Sequence, residues 1–169
     1  MTSNNGLFRY CGVAPRLSLR RAIIGATAAW LAVSSHSSFA EHSACALSVT
    51  SVNFGAYSVF SLSPNNISGG GITITCTNSN GDPFDVTLST GQSNNYASRV
   101  MVSGVNTLNY NLYTSAARTS VWGDGTGGSS VMAADKDHTT TLSVFGQIPA
   151  GQDASVGIYT DRITVVVNF

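Results

Sequence analysis

From residue 45 onward, apolar and polar positions alternate in short runs broken by Gly, Pro, Asn and Asp. In Ile163, Val165, Val167 and Phe169 the apolar side chains share one parity and Thr164 and Asn168 take the other, the period-two signature of a strand with one buried face. Val166 alone departs from it. The same pattern predicts strands over 46–54, 72–77, 84–89, 99–102, 108–114, 140–147 and 159–169. In the first of these the apolar parity changes between Val49 and Val52, which predicts a bulge or a crossing between sheets. Pro64-Asn65-Asn66, Gly69-Gly70-Gly71, Asn80-Gly81-Asp82-Pro83 and the run from Gly123 to Ser130 carry turn chemistry and are read as connections. With no convincing helical period, the expected fold is all-β, an immunoglobulin-like sandwich.

The first forty residues do not share this pattern. Arg16, Arg20 and Arg21 precede an apolar run, 22–33, and Ser38-Phe39-Ala40 places small residues third-last and last before a cut. Residues 1–40 are therefore read as a secretory signal cleaved between Ala40 and Glu41, with 41–169 as the exported domain. A run of about twelve apolar residues is too short for a membrane anchor, which needs roughly twenty, so no transmembrane segment is expected in the exported part. The Arg20-Arg21 pair raises twin-arginine export, but Ala22-Ile23-Ile24 lacks the supporting pattern, which favours general secretion.

Export alters the charge balance. The whole chain is neutral, but Arg9, Arg16, Arg20 and Arg21 leave with the signal while all eight acidic residues remain, giving −4. Arg99, Arg118, Lys136 and Arg162 are scattered, and nucleic acid is not an expected partner, since phosphate binding needs a clustered cationic face. Cys11 also leaves, so that Cys45 and Cys76 remain in a chain bound for an oxidising compartment. Cys45 shares parity with Leu47 and Val49, and Cys76 with Ile72 and Ile74. Both thiols should face inward, and a Cys45–Cys76 disulfide is expected; as a metal site, two isolated cysteines are poor.

Catalytic chemistry has little to build on. Asp135, Asp137 and His138 could form a loose metal cluster, but a solvated turn ahead of the strand at Thr140 explains them as well. No Ser, His and Asp set forms a nucleophile motif, no glycine loop has the strand-then-helix setting of a phosphate cradle, and the glycine run after Trp122 resembles calcium-binding repeats in composition alone. The reading is not an enzyme, with no cofactor. Tyr110 shares parity with Leu108 and Leu112 and is expected in the core, and Tyr113 and Trp122 are read as packing rather than sugar-binding residues.

Several of these runs carry a resemblance. Ile148-Pro149-Ala150-Gly151-Gln152, then Gly157-Ile158-Tyr159-Thr160-Asp161 and the strand closing on Phe169, resemble the end of a spore coat U domain. Phe54-Gly55-Ala56-Tyr57, Gly71-Ile72-Thr73-Ile74-Thr75-Cys76, Tyr110-Asn111-Leu112-Tyr113 and Trp122-Gly123 extend the likeness over 45–169. That family includes subunits of archaic chaperone-usher pili. The resemblance implies a sandwich lacking its final strand, with an open groove edged by Ile163, Val165, Val167 and Phe169. A periplasmic chaperone would fill the groove first, and a strand from another pilus or coat subunit would replace it at the outer-membrane usher. The chain would then be a secreted structural or adhesion subunit, passing through the periplasm to the cell surface. A stand-alone carbohydrate- or surface-binding sandwich is the alternative, expected to be closed and to carry an exposed aromatic platform.

A donor strand ahead of the first cysteine is the family's pattern, and this chain departs from it. Cleavage after Ala40 leaves Glu41, His42, Ser43 and Ala44, which extend about 14 Å against about 23 Å for a seven-residue partner of the last strand. They also lack alternating large apolar side chains. The expectation is an acceptor that donates poorly, placed at a fibre tip or acting as a self-contained coat protein.

Overall fold

The structure is a computed structural model that describes residues 44–77, 83–135 and 139–168. Eight strands follow one another: β1 (Ala44–Thr50), β2 (Asn65–Thr77), β3 (Phe84–Leu88), β4 (Arg99–Ser103), β5 (Asn106–Tyr113), β6 (Met132–Ala134), β7 (Thr139–Ile148) and β8 (Val165–Asn168). One 3₁₀ turn, Gly91–Ser93, separates β3 from β4, and the described residues contain no α-helix. None of their elements is a helix long and apolar enough to cross a membrane.

The strands form a five-stranded sheet, β1-β2-β7-β5-β4, and a three-stranded sheet, β6-β3-β8, all in antiparallel pairs. The alternation seen in the sequence becomes the core. Ile72, Ile74 and Cys76 of β2, Leu142, Val144 and Ile148 of β7, and Leu108, Tyr110 and Leu112 of β5 are buried from the large sheet. Phe84, Val86 and Leu88 of β3, with Trp122, meet them from the other side. The architecture is the expected all-β sandwich. Cys45 and Cys76 are register partners on β1 and β2 and are joined by the expected disulfide, which fastens the edge strand to its neighbour.

Three expectations about elements need correcting. The glycines at 69–71, read as a connection, lie inside β2, where the ladder with β7 shifts register between Ile67 and Gly70. The reason is steric: a Cβ on Gly70 would come within 2.4 Å of the Val52 side chain and 3.2 Å of Val144. Asn65 and Asn66, read with Pro64 as a turn, likewise open β2. The closing strand is also shorter than 159–169. Thr160 exchanges two backbone hydrogen bonds with Val102 of β4, at 2.9 and 3.0 Å, and only from Val165 does the chain pair with β3. The stretch therefore passes from one sheet to the other while Ile163, Val165 and Val167 keep one parity. Strand β6, which pairs with β3, was not expected at all.

Candidate functional site

Strand β1 ends at Thr50, and the parity change between Val49 and Val52 is a crossing between layers. Val52 sits over Gly70 on the inner face of β2, and two residues on Phe54 sits over Gly146 of β7. A Cβ at Gly146 would meet the Phe54 ring at 2.6 Å, so glycine makes the close approach possible. The ring packs edge-on against Tyr110, with centroids 5.7 Å apart. The backbone turns at Gly55, where φ is +68° and the amide donates to Asn53 Oδ1, and the Asn65 side-chain amide donates to the carbonyls of Phe54 and Ala56.

Opposite this crossing runs the connection from β7 to β8. Gln152 caps the edge of β5 that lies beyond its ladder with β7: the Asn109 amide donates to its Oε1 and its Nε2 donates to the Asn109 carbonyl. Tyr159 turns its hydroxyl back to the Ser155 carbonyl at 2.9 Å, the geometry of a tyrosine corner entering a final strand. The Asp161 carboxylate accepts from the Tyr110 hydroxyl at 2.8 Å and from the Gln92 backbone amide. Burial, and then the Asp161 hydrogen bond, push the Tyr110 hydroxyl well above its ordinary pKa, so it stays protonated as the donor.

Between the crossing and this connection lies a cavity of about 840 Å³, lined by Phe54, Phe60, Met101, Leu108, Ile148 and Tyr159 among others. Phe60, Val156 and Ile158 at its margin are almost wholly exposed. Strand β8 pairs with β3 along one side, and no described strand pairs with its other side. Its inward residues are correspondingly incomplete. Val165 and Val167 are half-buried, whereas their register partners Leu88 and Val86 are 2% and 0% exposed.

Of the four residues expected to edge a groove, Ile163, Val165, Val167 and Phe169, the structure describes the first three. Ile163, Val165 and Val167 share one half-buried face packed against the core; Phe169, Ala40 and Glu41 lie outside the described residues. The cavity itself is lined by residues between 51 and 60 and between 154 and 159, with a floor from β4, β5 and β7. Several of them, Phe54 to Tyr57, Ile148 and Gly157 to Tyr159, lie in runs that carry the resemblance, but none was expected to line a cavity. The signal in the pattern itself was the parity change after Val49, which marks where the chain leaves its sheet.

Elsewhere the interior is sealed. Arg99, counted in the sequence among scattered cations, is 0% exposed. Its guanidinium donates to the carbonyls of Ser89 and Trp122 and to Asn111 Oδ1, at 2.6 to 3.0 Å, and lies over the Tyr96 ring. Burial lowers its pKa, partly offset by Tyr110, Tyr96 and Asp161. Trp122 is fully buried and donates to the Val86 carbonyl, and Tyr110 is buried, both as core residues. Asp135 is exposed while Asp137 and His138 lie outside the described residues, and no three His, Cys, Asp or Glu gather as a metal site among the described residues.

Residues 30–166 match the family model of the Spore Coat Protein U domain. Among solved structures, the chain is similar to a chain of the CsuC–CsuE chaperone–tip adhesion subunit pre-assembly complex from archaic chaperone-usher Csu pili of Acinetobacter baumannii. The TM-score is 0.55 and the identity 24%, over 76% of this chain and 40% of that one. At that identity the likeness speaks to the fold. A search of curated proteins found no match.

Proposed function

The chain belongs to the Spore Coat Protein U domain family, and from that premise we propose that it is a secreted, non-enzymatic subunit of a chaperone-usher pilus or related surface coat, completed by a strand from a partner. The observation that carries this reading is the contrast across one ladder. Val86 and Leu88 of β3 are sealed, and Val167 and Val165 of β8 opposite them are not, beside a strand edge that pairs with nothing described. An unpaired strand edge with half-covered apolar side chains is where an added strand gains both main-chain hydrogen bonds and buried side chains. A periplasmic chaperone and then another subunit would supply that strand, and the usher would be the place of exchange.

Residues 1–40 serve in this proposal as the export signal, with processing at Ala40. The residues left ahead of Cys45 are too few and too polar to fill another groove, so the subunit takes a terminal place in its fibre. Co-expression with a pilus chaperone tests the reading. The subunit should be recovered from the periplasm as a one-to-one complex and lost to proteolysis without it. A stable monomer that ignores chaperone and donor strands alike would reject it. Sequencing of the exported N-terminus tests the processing site.

A further inference from the structure

Two runs nearly a hundred residues apart, Phe54-Gly55-Ala56-Tyr57 and Ile148-Pro149-Ala150-Gly151-Gln152, meet at a single atom. The Tyr57 hydroxyl donates to the Pro149 carbonyl at 3.1 Å and accepts from the Gln152 amide at 2.9 Å. That hydroxyl thereby both gives its one proton and fills a lone pair. Tyr57 stands on one wall of the large cavity, and Gln152 stands two residues before Ala154, where the opposite wall begins. The Gln152 side chain is in turn fixed to the Asn109 backbone and the Pro149 carbonyl. Tyr57 also lines a second, smaller cavity of about 310 Å³, so its half-buried ring, packed against the core on one side, borders two spaces.

We propose that Tyr57 is a positioning residue, a strut whose hydroxyl sets the separation of the two walls and so keeps the groove ready for an incoming strand. This rests on the strand-acceptor reading above. The stretch from 51 to 64 forms no ladder with any described strand, and neither does the connection from 149 to 164 apart from the Thr160 bridge. A ring alone could pack at several distances. A hydroxyl held by a carbonyl and an amide of one turn permits one distance, because such bonds weaken steeply outside their narrow geometry.

The test separates the strut from stability and from the acceptor reading. Tyr57→Phe removes only the oxygen. Tyr96→Phe serves as the control, since it removes a hydroxyl bonded to the Leu88 carbonyl at 3.0 Å on the sealed side. Spin labels placed by Ser58→Cys and Val156→Cys, both at exposed positions on opposite walls, read the gap directly. Their distance distribution should be narrow in the parent and in Tyr96→Phe and broad in Tyr57→Phe. Capture of a fluorescent peptide of about nine alternating Val and Thr residues, long enough to run beside β8, should slow by about tenfold in Tyr57→Phe while the midpoint of thermal unfolding stays that of the control. An unchanged narrow distance in Tyr57→Phe overturns the strut, as does equal slowing in both variants. If the parent captures neither peptide nor chaperone, the acceptor reading fails, while the label distances still decide whether Tyr57 sets the gap.

Discussion

Strands β3 and β8 lie side by side in one ladder, yet they belong to two different kinds of interior. Behind β3 the space is filled: Trp122 and Arg99 are fully buried, and the guanidinium finds an oxygen for each of its bonded nitrogens. In β8 the inward side chains are half-exposed, and the segments 51–60 and 154–159 border a cavity. The difference teaches where this domain's stability and its capacity to bind reside. A polar group is tolerated in the sealed half only because every partner is in place, and the apolar groups left uncovered in the open half are where the proposed partner strand would bind.

Substitution across the ladder puts the contrast to its hardest test. Val86→Asp buries a carboxylate with no partner and should cost several kcal/mol, comparable to the whole stability of a domain this size. The register partner Val167→Asp keeps its carboxylate within reach of water and should cost about 1–2 kcal/mol, leaving a folded subunit that no longer binds chaperone. Urea unfolding together with chaperone co-purification measures both. Equal stability losses in the two variants would erase the distinction between the halves.

Arg99→Met sharpens the account of the sealed half. It leaves the Ser89 and Trp122 carbonyls without the guanidinium and Asn111 Oδ1 with the Leu112 amide alone of its two donors, and should cost about 3–5 kcal/mol although it adds an apolar side chain to an interior. A neutral or stabilising result by calorimetry would mean that water or a shifted side chain replaces the guanidinium.

The disulfide bears on the open half, because it holds the edge strand from which the crossing at 51–57 departs. Replacing Cys45 and Cys76 by Ser together should cost about 3–4 kcal/mol for the loop it closes. Hydrogen exchange should show β1 and the crossing opening before β3 does. Uniform exchange across both halves would contradict a division of this kind.

The smallest expected effect lies in the loop after Trp122. Asp124 is held below the usual carboxylate range, first by the Thr126 hydroxyl and then by the Thr126 amide. A depressed carboxylate contributes stability above its unfolded-state pKa, and the contribution is lost as pH falls through the folded value. Unfolding of Asp124→Asn should therefore lose a little of the parent's acid dependence below about pH 4. NMR titration of the side-chain carbon checks the direction, and a value at or above the free carboxylate's would refute it.

Much of this was legible along the chain. Period-two alternation marks which side of each strand faces inward, and for Ile72, Ile74, Leu108, Tyr110 and Leu112 that side is the buried one. Cysteine count and parity determined the Cys45–Cys76 bond, and the half-buried face of Ile163, Val165 and Val167 followed from their spacing. Alternation carries no information about which strand lies alongside, however. The passage of 159–169 from β4 to β3, the inclusion of the triple glycine in β2, and the crossing of 51–57 over Gly70 and Gly146 were decided by the tertiary structure, since each depends on a neighbour far away in the chain. The same holds for Arg99, which looks like any surface cation until three elements bring oxygens around it, and for Tyr57, whose partners arrive 92 and 95 residues later. Local pattern selects a face, and only the packing of distant segments closes one half of the sandwich and leaves the other open.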